Sequence, residues 1–273
     1  MDSTTVSRGL LARLYRLGDP RGPDGCGADR WRDYRAMGLT DADVPTLCSV
    51  VTDHDLFRDP PTTDGWFAAV HAWRALAQVG APALIELLVA ELRFRLHEQD
   101  DWLAEDFPRI AAELGPATVP VLRAAVADSS EDADLRIIAA SALAQVAERH
   151  AEVRGEVVAV LTTALAAFDS NPVDVNAFLI DNLLTLRAVE SAETIERAYA
   201  AGRVDEGVVG GWDAVRDTLG VKELGLRTAD SPSNPNSLLA IQARLRAGIL
   251  GAFRTAQNEG RRERRNRKRR RRR

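Results

Sequence analysis

The chain has 273 residues, of which 45% are apolar, 28% charged and only 5% aromatic, a balance that supports a full hydrophobic core without a staple. Ala, Leu, Arg, Glu and Asp carry the sequence, which is the profile of helices rather than sheets. Cys26 and Cys48 match neither a disulfide framework nor a metal-ligand spacing. No run of about 18 apolar residues occurs, and residues 1–19 lack an apolar stretch with a small-residue cleavage site, so the reading is a cytoplasmic chain without membrane contact.

Charge is unevenly placed. Residues 261–273 hold ten arginines, Lys268 and Glu263, a net +10, so the first 260 residues, with 25 basic and 39 acidic side chains, carry −14. Only Lys222 and Lys268 are lysines among 36 basic residues, an arginine and alanine bias that suggests a GC-rich bacterial genome.

In chain order, residues 1–60 read as an N-terminal helical cap. A Gly/Pro/Asp loop spans residues 18–28, and two or three helices take in Trp31-Arg32-Asp33-Tyr34 and Val44–Val51, the latter after a helix-start signal at Leu39-Thr40-Asp41-Ala42-Asp43. Residues 61–219 repeat internally. Ala75-Leu76-Ala77-Gln78-Val79 recurs unchanged as Ala142-Leu143-Ala144-Gln145-Val146, 67 residues on, about two units of a roughly 33-residue helix pair. Between them, Leu114-Gly115-Pro116-Ala117-Thr118-Val119 aligns with Val79-Gly80-Ala81-Pro82-Ala83-Leu84 at an offset of 35, both reading as helix end, tight turn and helix start; Leu183-Leu184-Thr185-Leu186 is a looser fourth copy.

Each unit carries two apolar stripes. Trp66, Val70, Trp73 and Leu76 precede Leu84, Leu87, Leu88 and Leu92. Leu103, Phe107, Ile110 and Leu114 precede Val119, Leu122 and Val126. Leu135, Ile138, Ala142 and Val146 precede Val157, Val160, Leu161 and Leu165. One hairpin cannot cover its own stripe, so stacking is expected. Residues 220–236 read as a linker, 237–258 as an amphipathic helix bearing Leu238, Leu245, Ile249 and Phe253, and 259–273 as a disordered basic tail.

The unit length, the Leu-rich first helix, the Gly or Ala-Pro turn and the Asp134-Leu135-Arg136 start of the third unit resemble HEAT-like repeats of the PBS-lyase type over roughly residues 66–200. The resemblance implies an all-α fold, an α-solenoid of tandem antiparallel helix pairs.

Candidate sites are few. Thr52-Asp53-His54-Asp55 places an imidazole between carboxylates, but adjacent side chains seldom converge on one ion. His97-Glu98 resembles one dyad of the HEAT-repeat hydroxylase acting on a hypusine precursor, a family needing several dyads in register; His150 is followed by Ala151. Trp102 and Asp106, with Arg136, resemble the aromatic-plus-carboxylate arrangement of HEAT-like alkylpurine DNA glycosylases. Trp66, Trp73 and His71 would suit the cleft of a bilin lyase. An enzyme of either kind would place its site at His71, Trp73, Trp102 and Asp106.

The leading expectation is a non-enzymatic scaffold without cofactor or metal, whose acidic groove takes a protein or basic peptide. The tail residues Arg261, Arg262, Arg264, Arg265, Arg267, Lys268, Arg269, Arg270, Arg271, Arg272 and Arg273 are expected to contact RNA, the ribosome or another polyanion through phosphate charge alone, or to fold back on the acidic body.

Overall fold

The apolar stripes become helices in a computed structural model, which describes residues 3–20, 31–57 and 64–220. The predicted linker beyond Gly220, the amphipathic helix of residues 237–258 and the basic tail lie outside the described residues, as does Cys26. Among the described residues every regular element is helical and no single helix is long and apolar enough to cross a membrane.

Two compact units divide the chain, residues 1–204 and 205–273. In the first, the helices are α1 (Ser3–Arg16), α2 (Val44–Val51), α3 (Asp64–Val79), α4 (Leu84–His97), α5 (Trp102–Leu114), α6 (Val119–Ala127), α7 (Ala133–Arg149), α8 (Arg154–Ala166), α9 (Val173–Thr185) and α10 (Ala192–Ala200). Helices α3, α5, α7 and α9 pack each against the next, α6 packs on α7 and α8, α8 on α7, α9 and α10, and both α1 and α2 on α3. The second unit, so far as described, comprises α11 (Glu206–Val209), N-capped by the Asp205 carboxylate on the Gly207 N–H at 2.9 Å, and α12 (Trp212–Leu219).

Sequence spacing gives α3 one apolar stripe, yet α3 is buried nearly all round: Ala68, Ala69, Ala72 and Ala75 are as inaccessible as Trp73 and Leu76. The alanines are small enough for α1, α2 and α5 to close on them. Phe107, Ile110, Leu143, Leu161, Ile180 and Leu183 continue the core along the row, each contributing about 1.5–3 kcal/mol by leaving water.

The turns follow the Gly/Pro signals for different reasons. Gly115 has φ of 92°, in the region that favours glycine, and Pro116 opens the next turn. Gly80 instead answers to space, since a Cβ there would collide with the Leu76 carbonyl and the Leu84 side chain. Ion pairs at near-repeat spacing join successive units: Arg149 to Glu113 at 2.7 Å, Arg154 to Glu190 at 2.9 Å, and Arg93 to Glu131. A buried polar lattice does the same farther along, with Arg136 donating to Asn171 Oδ1 at 2.9 Å and Asn171 donating to Asn176 Oδ1 at 3.0 Å.

Candidate functional site

Helix α3 presents His71, Trp73 and Arg74 in succession, and α5 presents Asp106 to the last two. The Trp73 indole N–H donates to Asp106 Oδ2 at 2.8 Å, and the Arg74 guanidinium grips both carboxylate oxygens, Nε to Oδ2 at 2.6 Å and Nη2 to Oδ1 at 3.0 Å. Arg74 and Asp106 are 3% and 2% exposed, and Arg74 Nη1 also reaches the Pro20 carbonyl at 3.2 Å. Asp106 thus has its charge matched and both oxygens occupied, which makes it a clamp between α3 and α5.

The sequence-predicted quartet does not converge. Trp73 and Asp106 meet. Trp102 instead packs against Phe67, ring centroids 6.3 Å apart. His71 has partners of its own: Nε2 bonds the Gly18 carbonyl at 2.9 Å, so Nε2 carries the proton, and Nδ1 accepts from the Tyr34 hydroxyl at 2.7 Å. Burial pushes the Tyr34 phenol up and the His71 imidazolium down, the latter to about 4, against the Gly18 bond, which favours the charged ring; Arg32 and Arg74 add to the depression and Asp19 opposes it.

That shift has a sign. The neutral ring is favoured only in the fold, so its contribution is complete above pH 6.5, the ordinary value, and is lost as pH falls toward about 4. The loss amounts to about 3 kcal/mol across that window. Urea unfolding from pH 7 to 4 is expected to show a steep decline that flattens in His71→Gln; an unchanged slope would contradict the assignment.

The other singled-out residues are placed as follows. His54 stacks on Phe94 with 3.7 Å between centroids and pairs through Nε2 with Glu91 Oε2 at 3.1 Å. Glu91 belongs to a second buried network, in which Arg95 lies 2.9 Å from Glu91 Oε1, donates to Asp100 Oδ2 at 2.7 Å and donates to the Val51 carbonyl at 3.2 Å. His97 and Glu98 end α4 on the surface, and the His150 ring donates to the Ala112 carbonyl at 3.0 Å.

A feature that residue-type reasoning passed over is a pair of neighbouring openings beside α5, α7 and the Gln78 end of α3. An open groove of about 640 Å³ runs between α5 and α7, its walls including Glu105, Arg109, Glu113, Gln145, Glu148 and Arg149. A second opening, between α3 and the segment from Trp31 to Arg35, shares Glu113 and is lined by Gln78. At the join, the Arg109 guanidinium sits 4.3 Å from the Trp31 ring centroid and that of Arg74 5.4 Å. The chain matches no protein-family model, no curated protein and no solved structure.

Acidic side chains also gather at the starts of α5, α7 and α9, in Asp101, Asp134 and Asp174. Burial raises the carboxyls of Asp101 and Asp134, and repulsion adds to it, from Asp100 and Asp134 on Asp101 and from Asp132 and Asp174 on Asp134. Helix N-termini favour these charges, which is a structural reason for them to be there.

Proposed function

We propose that this chain is a HEAT-like α-solenoid that serves as an interaction scaffold, binding a protein partner along the surface made by α3, α5 and α7. The observation that carries the reading is the row itself. Four helices at repeat spacing pack in sequence, and two neighbouring openings that share Glu113 lie beside them, which supports a peptide rather than a small substrate as the partner.

The buried charges of the row are committed to holding helices together, Asp106 by Arg74 and Arg95 by Glu91 and Asp100. What faces the groove is different. Three carboxylates, Glu105, Glu113 and Glu148, stand against two guanidiniums, Arg109 and Arg149, with Arg149 paired to Glu113. That excess supports a partner with basic side chains, in keeping with the −14 of residues 1–260. The eleven basic residues of the tail add a sequence-independent attraction to RNA or another polyanion, steeply weakened by salt. The test is recovery of bound protein from cells followed by photo-cross-linking from groove positions and from the exposed side of α6.

A further inference from the structure

Gln78 holds the fourth place of the repeated pentapeptide in α3, as Gln145 does in α7. In α3 its task is visible. Gln78 Nε2 donates to the Arg32 carbonyl at 2.9 Å, and Gln78 Oε1 accepts the Tyr34 N–H at 2.8 Å. One side-chain amide thus holds the carbonyl of one residue and the N–H of the residue two further on, a two-point grip on the backbone of the Arg32–Tyr34 segment.

In α7 the same amide has no such occupant. Gln145 is half-buried and lines the groove between α5 and α7, and its side-chain amide makes no hydrogen bond to any described residue. We propose that Gln145 is a backbone clamp, through which the α5/α7 groove binds an extended segment of a partner protein, the amide bonding the carbonyl of one partner residue and the N–H of the residue two further on. This rests on the scaffold reading above and specifies how the groove takes its partner.

The chemistry of the groove agrees with that occupant. Glu148 is exposed about one helical turn beyond Gln145, and the adjacent Arg149 is already drawn to Glu113 at 2.7 Å. Glu148 is therefore available to a lysine or arginine of the segment. The two clamps differ in their surroundings: the 67-residue displacement puts Ile138 where α3 has His71, and Ser141 where it has Arg74. The pocket that receives the Tyr34 hydroxyl is not repeated, so the α7 clamp keeps the backbone contact and changes the side chains it admits.

The experiment is selection of phage-displayed random dodecapeptides on the immobilised full chain, followed by dissociation constants of the selected synthetic peptides. Lysine- or arginine-rich peptides are expected, and Gln145→Ala should weaken them about tenfold or more, two hydrogen bonds of ordinary strength being lost. The Gln145 side chain makes no hydrogen bond to a described residue, so this variant should melt close to the wild-type temperature. N-methylation along the peptide should produce one position at which binding falls in the wild type and not in Gln145→Ala. Selected peptides whose affinity ignores Gln145→Ala, or a selection that yields none, would overturn the clamp. Neither result touches the scaffold reading, which fails only if the cross-linking experiment finds no partner on this face.

Discussion

Asp106→Ala is expected to destabilise the protein by about 3–5 kcal/mol, because it removes one partner of a buried ion pair and leaves the other charge stranded. Arg74 is 3% exposed and spends two of its nitrogens on this carboxylate, and the Trp73 indole N–H spends its only donor there. Neither can turn to water without opening the contact between α3 and α5. Equilibrium urea denaturation would show the midpoint fall with little change in slope. The companion variant Arg74→Met/Asp106→Leu separates pairing from packing: replacing both partners with apolar groups of similar size is expected to recover most of the loss. A cost below about 1 kcal/mol for Asp106→Ala would mean that the pair is accessible to water, as surface pairs are.

Arg95→Ala is expected to cost a comparable about 3–5 kcal/mol at neutral pH. Arg95 is 1% exposed, its guanidinium lies 4.9 Å from the Trp73 ring centroid, and it separates Glu91 from Asp100, themselves 4% and 7% exposed. Burial lowers its own proton affinity, and Asp100 and then Glu91 act against that. Without the guanidinium, two buried carboxylates face each other with no cation between them. Equilibrium urea denaturation at neutral pH would show the loss as a lower midpoint. Arg95→Lys, which keeps the charge and loses the planar fork, should lie between the two. An Arg95→Ala cost below about 1 kcal/mol would contradict a buried, paired guanidinium.

How much of this was legible beforehand follows from the kind of signal each feature leaves. Helix positions were readable because Leu103, Phe107, Ile110 and Leu114 recur at helical spacing, and the turn at Gly115-Pro116 announces itself by residue type. The sequence places Trp31 to Tyr34 among the N-terminal helices, whereas Trp31 to Asp33 run without regular structure and the Arg32 carbonyl is held by Gln78, 46 residues away. Periodicity names the face a residue occupies and is silent on its partner. Hence Trp73 and Asp106 were singled out as chemistry, while Arg74, which decides what Asp106 does, was not. His71 was suspected as an aromatic neighbour in a cleft; Tyr34 and the Gly18 carbonyl, which hold it, are 37 and 53 residues away in sequence. The pentapeptide was visible as repetition, but only the bonds of Gln78 reveal what the unmatched Gln145 is suited to.

The most direct measurement of the scaffold reading is a photo-cross-linking map with benzoylphenylalanine placed at Glu148, in the α5/α7 groove, and separately at Arg123, exposed on α6. The account predicts a discrete protein adduct from position 148 that is absent from position 123, and that survives in a chain ending at Gly260. Adducts from position 123 alone, or from position 148 only while the tail is present, would contradict it.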